Sequence, residues 1–141
     1  MNLSREAPQS QVLVLDDDPN VRRAVSRTLR QAGHDTVLLG SCRAALELER
    51  DVDVAVLDLE LEDGSGVDVA LELLASHRAQ AIVFFTGASD PELLARAGRV
   101  GPVLVKGQSP SDLVQAVAIS LSGPASRLRG RVVTRTAASR R

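Results

Sequence analysis

Aromatic side chains are nearly missing from this chain of 141 residues: it has two Phe, no Tyr and no Trp. A core must therefore be filled by Val, Leu, Ala and Ile. A base-stacking nucleic-acid platform, which needs aromatic faces, is argued against. Cysteine is reduced to Cys42, so no internal disulfide can form and a reducing compartment is expected. No apolar run reaches the ~18 residues of a membrane span. The N-terminus lacks the basic-then-apolar pattern of a secretory signal. A cytoplasmic protein is the expectation. Lysine is equally scarce: Lys106 is the only one among 17 Lys and Arg.

The charge that is present is unevenly spread. Net charge is −1, yet all 18 acidic residues precede residue 124. Residues 124–141 carry six Arg and no acid. The composition reads as a loose polar lead (1–10), an acidic domain (11–123) and a basic tail (124–141). A solvated, flexible tail is the simplest reading. A nucleic-acid, membrane or partner contact through its arginines is the alternative.

The domain is organised around Val52-Asp53-Val54-Ala55-Val56-Leu57, an apolar, largely β-branched run ending in Asp58. Such a run suits a central strand of a parallel sheet, buried on both faces. Gln11 to Leu15 opens an earlier strand, which ends in Asp16-Asp17-Asp18-Pro19. Asp18 is a good helix cap and Pro19 a good first helical residue. Val21, Val25, Leu29 and Ala32 follow at helical spacing, and Gly33 closes that helix.

Thr36 to Leu39 reads as a second strand, and Ser41 caps a helix bearing Ala44, Ala45 and Leu48. After the central strand, Ser65 or Gly66 starts a third helix. Ala81 to Phe85 is a fourth strand ending at Thr86, and Asp90-Pro91-Glu92 starts a short helix stopped near Gly98. Pro102 to Val105 is a fifth strand ending at Lys106. Ser109-Pro110-Ser111-Asp112 resembles a capping box with Asp in place of Glu, opening a helix that stops at Gly123. Five strands alternating with five helices predict a doubly wound parallel sheet with right-handed crossovers.

In such a sheet all strand carboxyl ends lie on one edge, where ligands bind. Those ends carry Asp16 and Asp17, Asp58, Thr86 and Lys106. Converging carboxylates do not stay ionised cheaply unless a cation joins them. Oxygen-only ligands favour a hard ion such as Mg²⁺, which keeps several waters and binds phosphate. A lysine and a hydroxyl beside it supply donors for phosphoryl oxygens. These are parts for phosphoryl transfer, with a carboxylate able to act as nucleophile.

From about Gln11 to Gly123 the chain resembles the receiver domain of bacterial two-component response regulators. The opening Val-Leu-Val-Leu-Asp-Asp-Asp-Pro, then Asp58, Thr86 and Lys106, match that family's pattern in order. The resemblance implies a flavodoxin-like, CheY-like fold with strand order 2-1-3-4-5. It implies that Asp58 accepts a phosphoryl group from a sensor histidine kinase or a histidine phosphotransfer protein. Asp16, Asp17 and Asp58 match the Mg²⁺ ligands, and Glu60 the position whose backbone carbonyl also reaches the metal. Thr86 and Lys106 match residues that contact the phosphoryl group. Such a protein is no conventional enzyme, but it catalyses its own phosphorylation and dephosphorylation. Glu60 and Ala88 are the residues expected to influence the lifetime of the phosphoaspartate.

The chain departs from that family at several places. Gly107 stands where the family usually has Pro, often after a cis bond, so a trans bond or a reshaped loop is expected. Val103 holds the place of the switch aromatic, and Glu62 stands near a usual Pro. The remaining candidates have plainer readings. Asp16-Asp17-Asp18 alone is a polar turn, Thr86 alone an ordinary strand-end hydroxyl, and Gly64-Ser65-Gly66 a turn. Cys42 reads as inert packing, and His34 and His77 have no metal-ligand spacing. A lone Lys106 in an Arg-rich chain suits a chemistry that Arg cannot replace.

Three functions compete. The first is a single-domain response regulator, phosphorylated on Asp58, whose output is contact with a downstream protein. The second is a receiver-fold interaction module that is not phosphorylated, which Val103 and Gly107 favour. The third is an aspartate-nucleophile phosphatase, suggested by Asp58-Leu59-Glu60. Against it stand the motif's position off the first strand and the lack of a substrate-capping domain.

Overall fold

Strand β3 (Val52–Leu57) is buried at every position but Asp53. It lies between two parallel partners, β1 (Gln11–Leu15) on one side and β6 (Ala79–Thr86) on the other. β2 (Asp35–Leu39) pairs outside β1, and β7 (Val103–Val105) pairs outside β6. A two-residue hairpin, β4 (Glu60–Leu61) with β5 (Gly64–Ser65), follows β3. The five-stranded sheet therefore runs β2-β1-β3-β6-β7, which is 2-1-3-4-5 once the hairpin is set aside. This computed structural model describes residues 9–122. Most of the expected lead, the stop at Gly123 and the basic tail lie outside the described residues.

Alternation along the strands sorts the core into two layers. Leu13, Leu15, Ala55, Leu57, Ile82 and Phe84 face one side, with α2 (Cys42–Leu46), α3 (Gly66–Ala75) and α4 (Pro91–Gly98) over them. Val12, Val14, Val54, Val56 and Val83 face the other, under α1 (Pro19–Gln31) and α5 (Pro110–Ser122). Successive strand residues point to opposite faces, so a continuous apolar run feeds both layers at once. Each fully buried Val, Leu or Phe contributes roughly 1.5–3 kcal/mol. A nearly aromatic-free chain thus still fills a core, with Phe84 its largest fully buried side chain.

Helix starts follow the capping residues. Asp18, Ser41, Ser65 and Asp90 accept from the N–H groups of Asn20, Ala44, Val67 and Glu92. Pro19 and Pro91 occupy first-turn positions, where their missing N–H costs nothing. At α5, Ser109 Oγ accepts from Ser111 N at 3.2 Å, and Ser109 O accepts from Asp112 N. The return bond from the Asp112 carboxylate is not among the hydrogen bonds of the described residues. Several boundaries differ from the sequence reading: β2 begins at Asp35 and not Thr36, and β7 at Val103 and not Pro102. β6 starts earlier, at Ala79, because Ala79 pairs with Val52. α2 ends at Leu46, so Leu48 packs on the core from beyond the helix. Among the described residues no helix is long and apolar enough to cross a membrane.

Candidate functional site

The parallel register carries the functional side chains to one edge. Leu15 pairs with Leu57, so the next residues, Asp16 and Asp58, emerge side by side. The Asp58 N–H donates to Leu15 O at 3.0 Å, and the Asp16 N–H to Leu39 O at 3.2 Å. Thr86 pairs with Val105, and its carbonyl accepts the Lys106 N–H at 2.8 Å. Asp16, Asp58 and Thr86 are buried, at 3%, 7% and 0% exposure.

The side chains of Asp16, Asp17 and Asp58 each offer an oxygen, all within 4.8 Å of one another. Lys106 Nζ bridges two of them, 2.8 Å from Asp16 Oδ2 and 3.1 Å from Asp58 Oδ2. Burial of the ammonium disfavours its charge. The hydrogen bonds to Asp16 and Asp58, and their negative charges, outweigh that, so the lysine's pKa lies above its usual value. Three further carboxylate oxygens accept from backbone N–H groups. Asp58 Oδ1 accepts from Leu59 N at 2.8 Å, and Asp16 Oδ1 from Asp18 N at 2.9 Å. Asp17 Oδ2 accepts from Glu62 N at 3.0 Å, tying the hairpin to the site.

Three carboxylates against one ammonium leave excess negative charge at a largely buried edge. The donor set is oxygen only, which suits a hard divalent cation and not a soft one. The residues present therefore fit Mg²⁺.

The structure brings together Asp16, Asp17, Asp58 and Lys106, as expected from the sequence. Thr86 joins them through its backbone, while its hydroxyl accepts from Ala88 N at 3.0 Å. That bond leaves the hydroxyl proton free to donate elsewhere. Glu60 opens β4 with an exposed side chain that stands outside the carboxylate group. The described residues contain no cis peptide bond, and Gly107 adopts φ of 99°. The loop after Lys106 is thus reshaped by a left-handed glycine, a conformation that residues with a Cβ rarely adopt. Val103 is half-buried and packs against the core. Cys42 is buried and its thiol pKa is raised to about 11, by burial first and by Asp63 next.

Two structural partners of the site escape the sequence reading. A Cβ on Gly66 would lie 1.9 Å from the Asp58 carbonyl oxygen, so only glycine lets α3 start this close to the strand end. Asp63, at the hairpin tip, accepts from Cys42 N at 2.8 Å and Arg43 N at 3.0 Å, fixing the start of α2. The glycine was visible as part of Gly64-Ser65-Gly66, but its neighbour across the loop was not.

A family model described as response regulator receiver domain matches residues 12–118. Among curated proteins, the nitrate/nitrite response regulator protein NarP of Escherichia coli is 32% identical over 125 residues, 84% of this chain and 58% of that protein. Nodulation protein W of Bradyrhizobium diazoefficiens is 33% identical over 110 residues, 75% of this chain and 48% of that protein. The chain thus spans about half the length of each of these two relatives. Among solved structures, the signal receiver domain of a modulated diguanylate cyclase from Desulfovibrio desulfuricans superposes with a TM-score of 0.75 at 24% identity, over 86% of this chain and 98% of that one. The response regulator TrrA of Thermotoga maritima, in complex with Mg²⁺-BeF, gives 0.70 at 25% identity, over 78% and 97%.

Proposed function

The chain belongs to the response regulator receiver family, and from that premise we propose that Asp58 is its phosphoryl acceptor. The observation that carries this reading is the bridge by Lys106 Nζ, 3.1 Å from Asp58 Oδ2 and 2.8 Å from Asp16 Oδ2, inside a cluster completed by Asp17. In the proposed step an Asp58 carboxylate oxygen attacks the phosphorus of a partner's phosphohistidine. An O–P bond forms, the P–N bond breaks, and its electron pair leaves with the imidazole. The donor is a sensor histidine kinase or a histidine phosphotransfer protein.

Asp16, Asp17 and Asp58 would hold Mg²⁺, with the Glu60 carbonyl as a further ligand. When bound, the ion supplies charge neutralisation for the phosphoryl oxygens. The chain's own groups do the rest. Lys106 orients the Asp58 carboxylate through its 3.1 Å contact, and its ammonium offsets the charge that arrives. The Thr86 hydroxyl, whose lone pair is taken by Ala88 N, keeps its proton for a phosphoryl oxygen. Burial of Asp58 limits access by bulk water, which would hydrolyse the acyl phosphate.

The output is contact with a downstream protein in the cytoplasm. Exposed Val105 on β7 and Ile119 on α5 are apolar surface of the kind such a contact uses. Val103 cannot perform an aromatic rotamer flip, so the signal must leave by another route. That observation also supports the second reading, a module that binds without being phosphorylated. Titration with beryllofluoride, followed by amide NMR shifts, separates the two. The phosphoacceptor reading expects shifts at Asp58, Thr86 and Lys106 that need Mg²⁺ and vanish in Asp58→Asn. A folded protein whose spectrum does not move supports the binding-only module.

A further inference from the structure

The acidic cluster has a second basic neighbour besides Lys106. Arg22, on α1, donates from Nη1 to the Asp16 main-chain carbonyl at 2.7 Å. Its guanidinium reaches that oxygen past the end of β2, over Gly40. A Cβ built on Gly40 would lie 2.6 Å from Arg22 Nη1 and 3.4 Å from its Cζ. No side chain at residue 40 is compatible with the guanidinium in this place. On its other side, Asp16 is held through its N–H by Leu39 O at 3.2 Å. The Asp16 backbone is thus clamped between the end of β2 and a side chain from α1.

We propose that Arg22 is a positioning residue for cation binding, and that Gly40 is the gap that admits it. The inference rests on the metal-binding reading of Asp16, Asp17 and Asp58. Both Asp16 carboxylate oxygens already have fixed partners, Asp18 N and Lys106 Nζ. Their position relative to Asp58 then depends on where the Asp16 backbone sits. Arg22 sets that backbone through a charge-assisted hydrogen bond, without itself touching the ion. The plainer alternative is that Arg22 only helps seat α1.

Coulomb's law separates geometry from charge. Deleting a positive charge beside three carboxylates would by itself tighten cation binding. A weakening therefore reports lost geometry. Gly40→Ala makes the case sharper, because it displaces the guanidinium while keeping its charge.

The test titrates the full 141-residue chain with Mn²⁺ alone, following the free ion by electron paramagnetic resonance. Wild type is compared with Arg22→Ala, Arg22→Lys, Gly40→Ala and the Arg22→Ala/Gly40→Ala double variant. Thermal unfolding in chelator gives the stability of each metal-free form. Arg22→Ala and Gly40→Ala are each expected to bind Mn²⁺ about tenfold more weakly, the low end for a lost outer-sphere partner. The double variant should bind no more weakly than Arg22→Ala, since both changes remove one contact. Arg22→Lys, which keeps a cationic donor, should recover part of the loss. Variants that bind like wild type overturn the proposal. So does an affinity loss that merely tracks lost metal-free stability, because that is a structural role. Wild type that binds no Mn²⁺ counts against the metal site itself, and the inference falls with it.

Discussion

Lys106 Nζ stands closer to Asp16 Oδ2, at 2.8 Å, than to Asp58 Oδ2, at 3.1 Å. The lysine from the end of β7 therefore serves two carboxylates from two strands, and competes with any cation for both. Lys106→Met should bind Mn²⁺ more tightly than wild type. A unit charge removed ~4 Å from a divalent ion is worth about 2 kcal/mol even in water-like surroundings, roughly a thirtyfold change in affinity. Phosphoryl labelling of Asp58 should fall in the same variant, because the charge that offsets the phosphoryl group is gone. Mn²⁺ titration and intact-mass labelling on one sample check the opposed directions. Parallel loss of both would contradict this account of Lys106.

Gly66 admits no side chain where α3 meets the end of β3. The Asp58 carbonyl oxygen lies 1.9 Å from where its Cβ would be. Backbone on both sides must move to relieve that overlap. Gly66→Ala should cost about 1–3 kcal/mol, the range for forcing atoms into a packed site. Urea unfolding measures it. Gly98→Ala is the control, since a Cβ there meets nothing within 4 Å. Equal stability of Gly66→Ala and wild type would show that the loop yields freely.

Cys42 holds its proton more tightly in the folded chain than in the unfolded one, where its pKa is the ordinary 9.0. Burial is the main cause, with Asp63 adding to it. The folded value is about 11, raised, so this contribution to stability is complete below pH 9.0. It is lost as pH rises through the folded value. The stability of wild type relative to Cys42→Ala should therefore fall between pH 9.0 and about 11. Denaturant unfolding of both chains across that range gives the comparison. A constant difference would mean that the thiol is not perturbed. At neutral pH the native thiol should react slowly with an aromatic disulfide reagent, and quickly once unfolded.

The strand ends were legible in the sequence because apolar runs stop abruptly at Asp16, Asp58, Thr86 and Lys106. Parallel pairing then forces those residues to one edge. Helix starts were legible because Asp18, Ser41, Ser65 and Asp90 are capping residues followed by apolar periodicity. The hairpin of Glu60–Leu61 with Gly64–Ser65 was not, since two-residue strands have no periodicity to read. The contacts of Gly66, Asp63 and Arg22 were missed for a common reason. Each meets a backbone atom in another element or across a loop, and neither propensity nor spacing reports such contacts. The short α2 was also unreadable: its apolar positions continue past Leu46, although the helix does not.

The central claim is that Asp58 accepts a phosphoryl group. The most direct measurement incubates the chain with a small-molecule phosphodonor and Mg²⁺ and reads its intact mass. Asp58→Asn and a chelated sample run beside it. The account predicts a gain of one phosphoryl group in wild type with metal, and none in either control. Labelling that persists in Asp58→Asn, or a folded wild type that gains nothing from either the small donor or a phosphorylated histidine kinase, would contradict it.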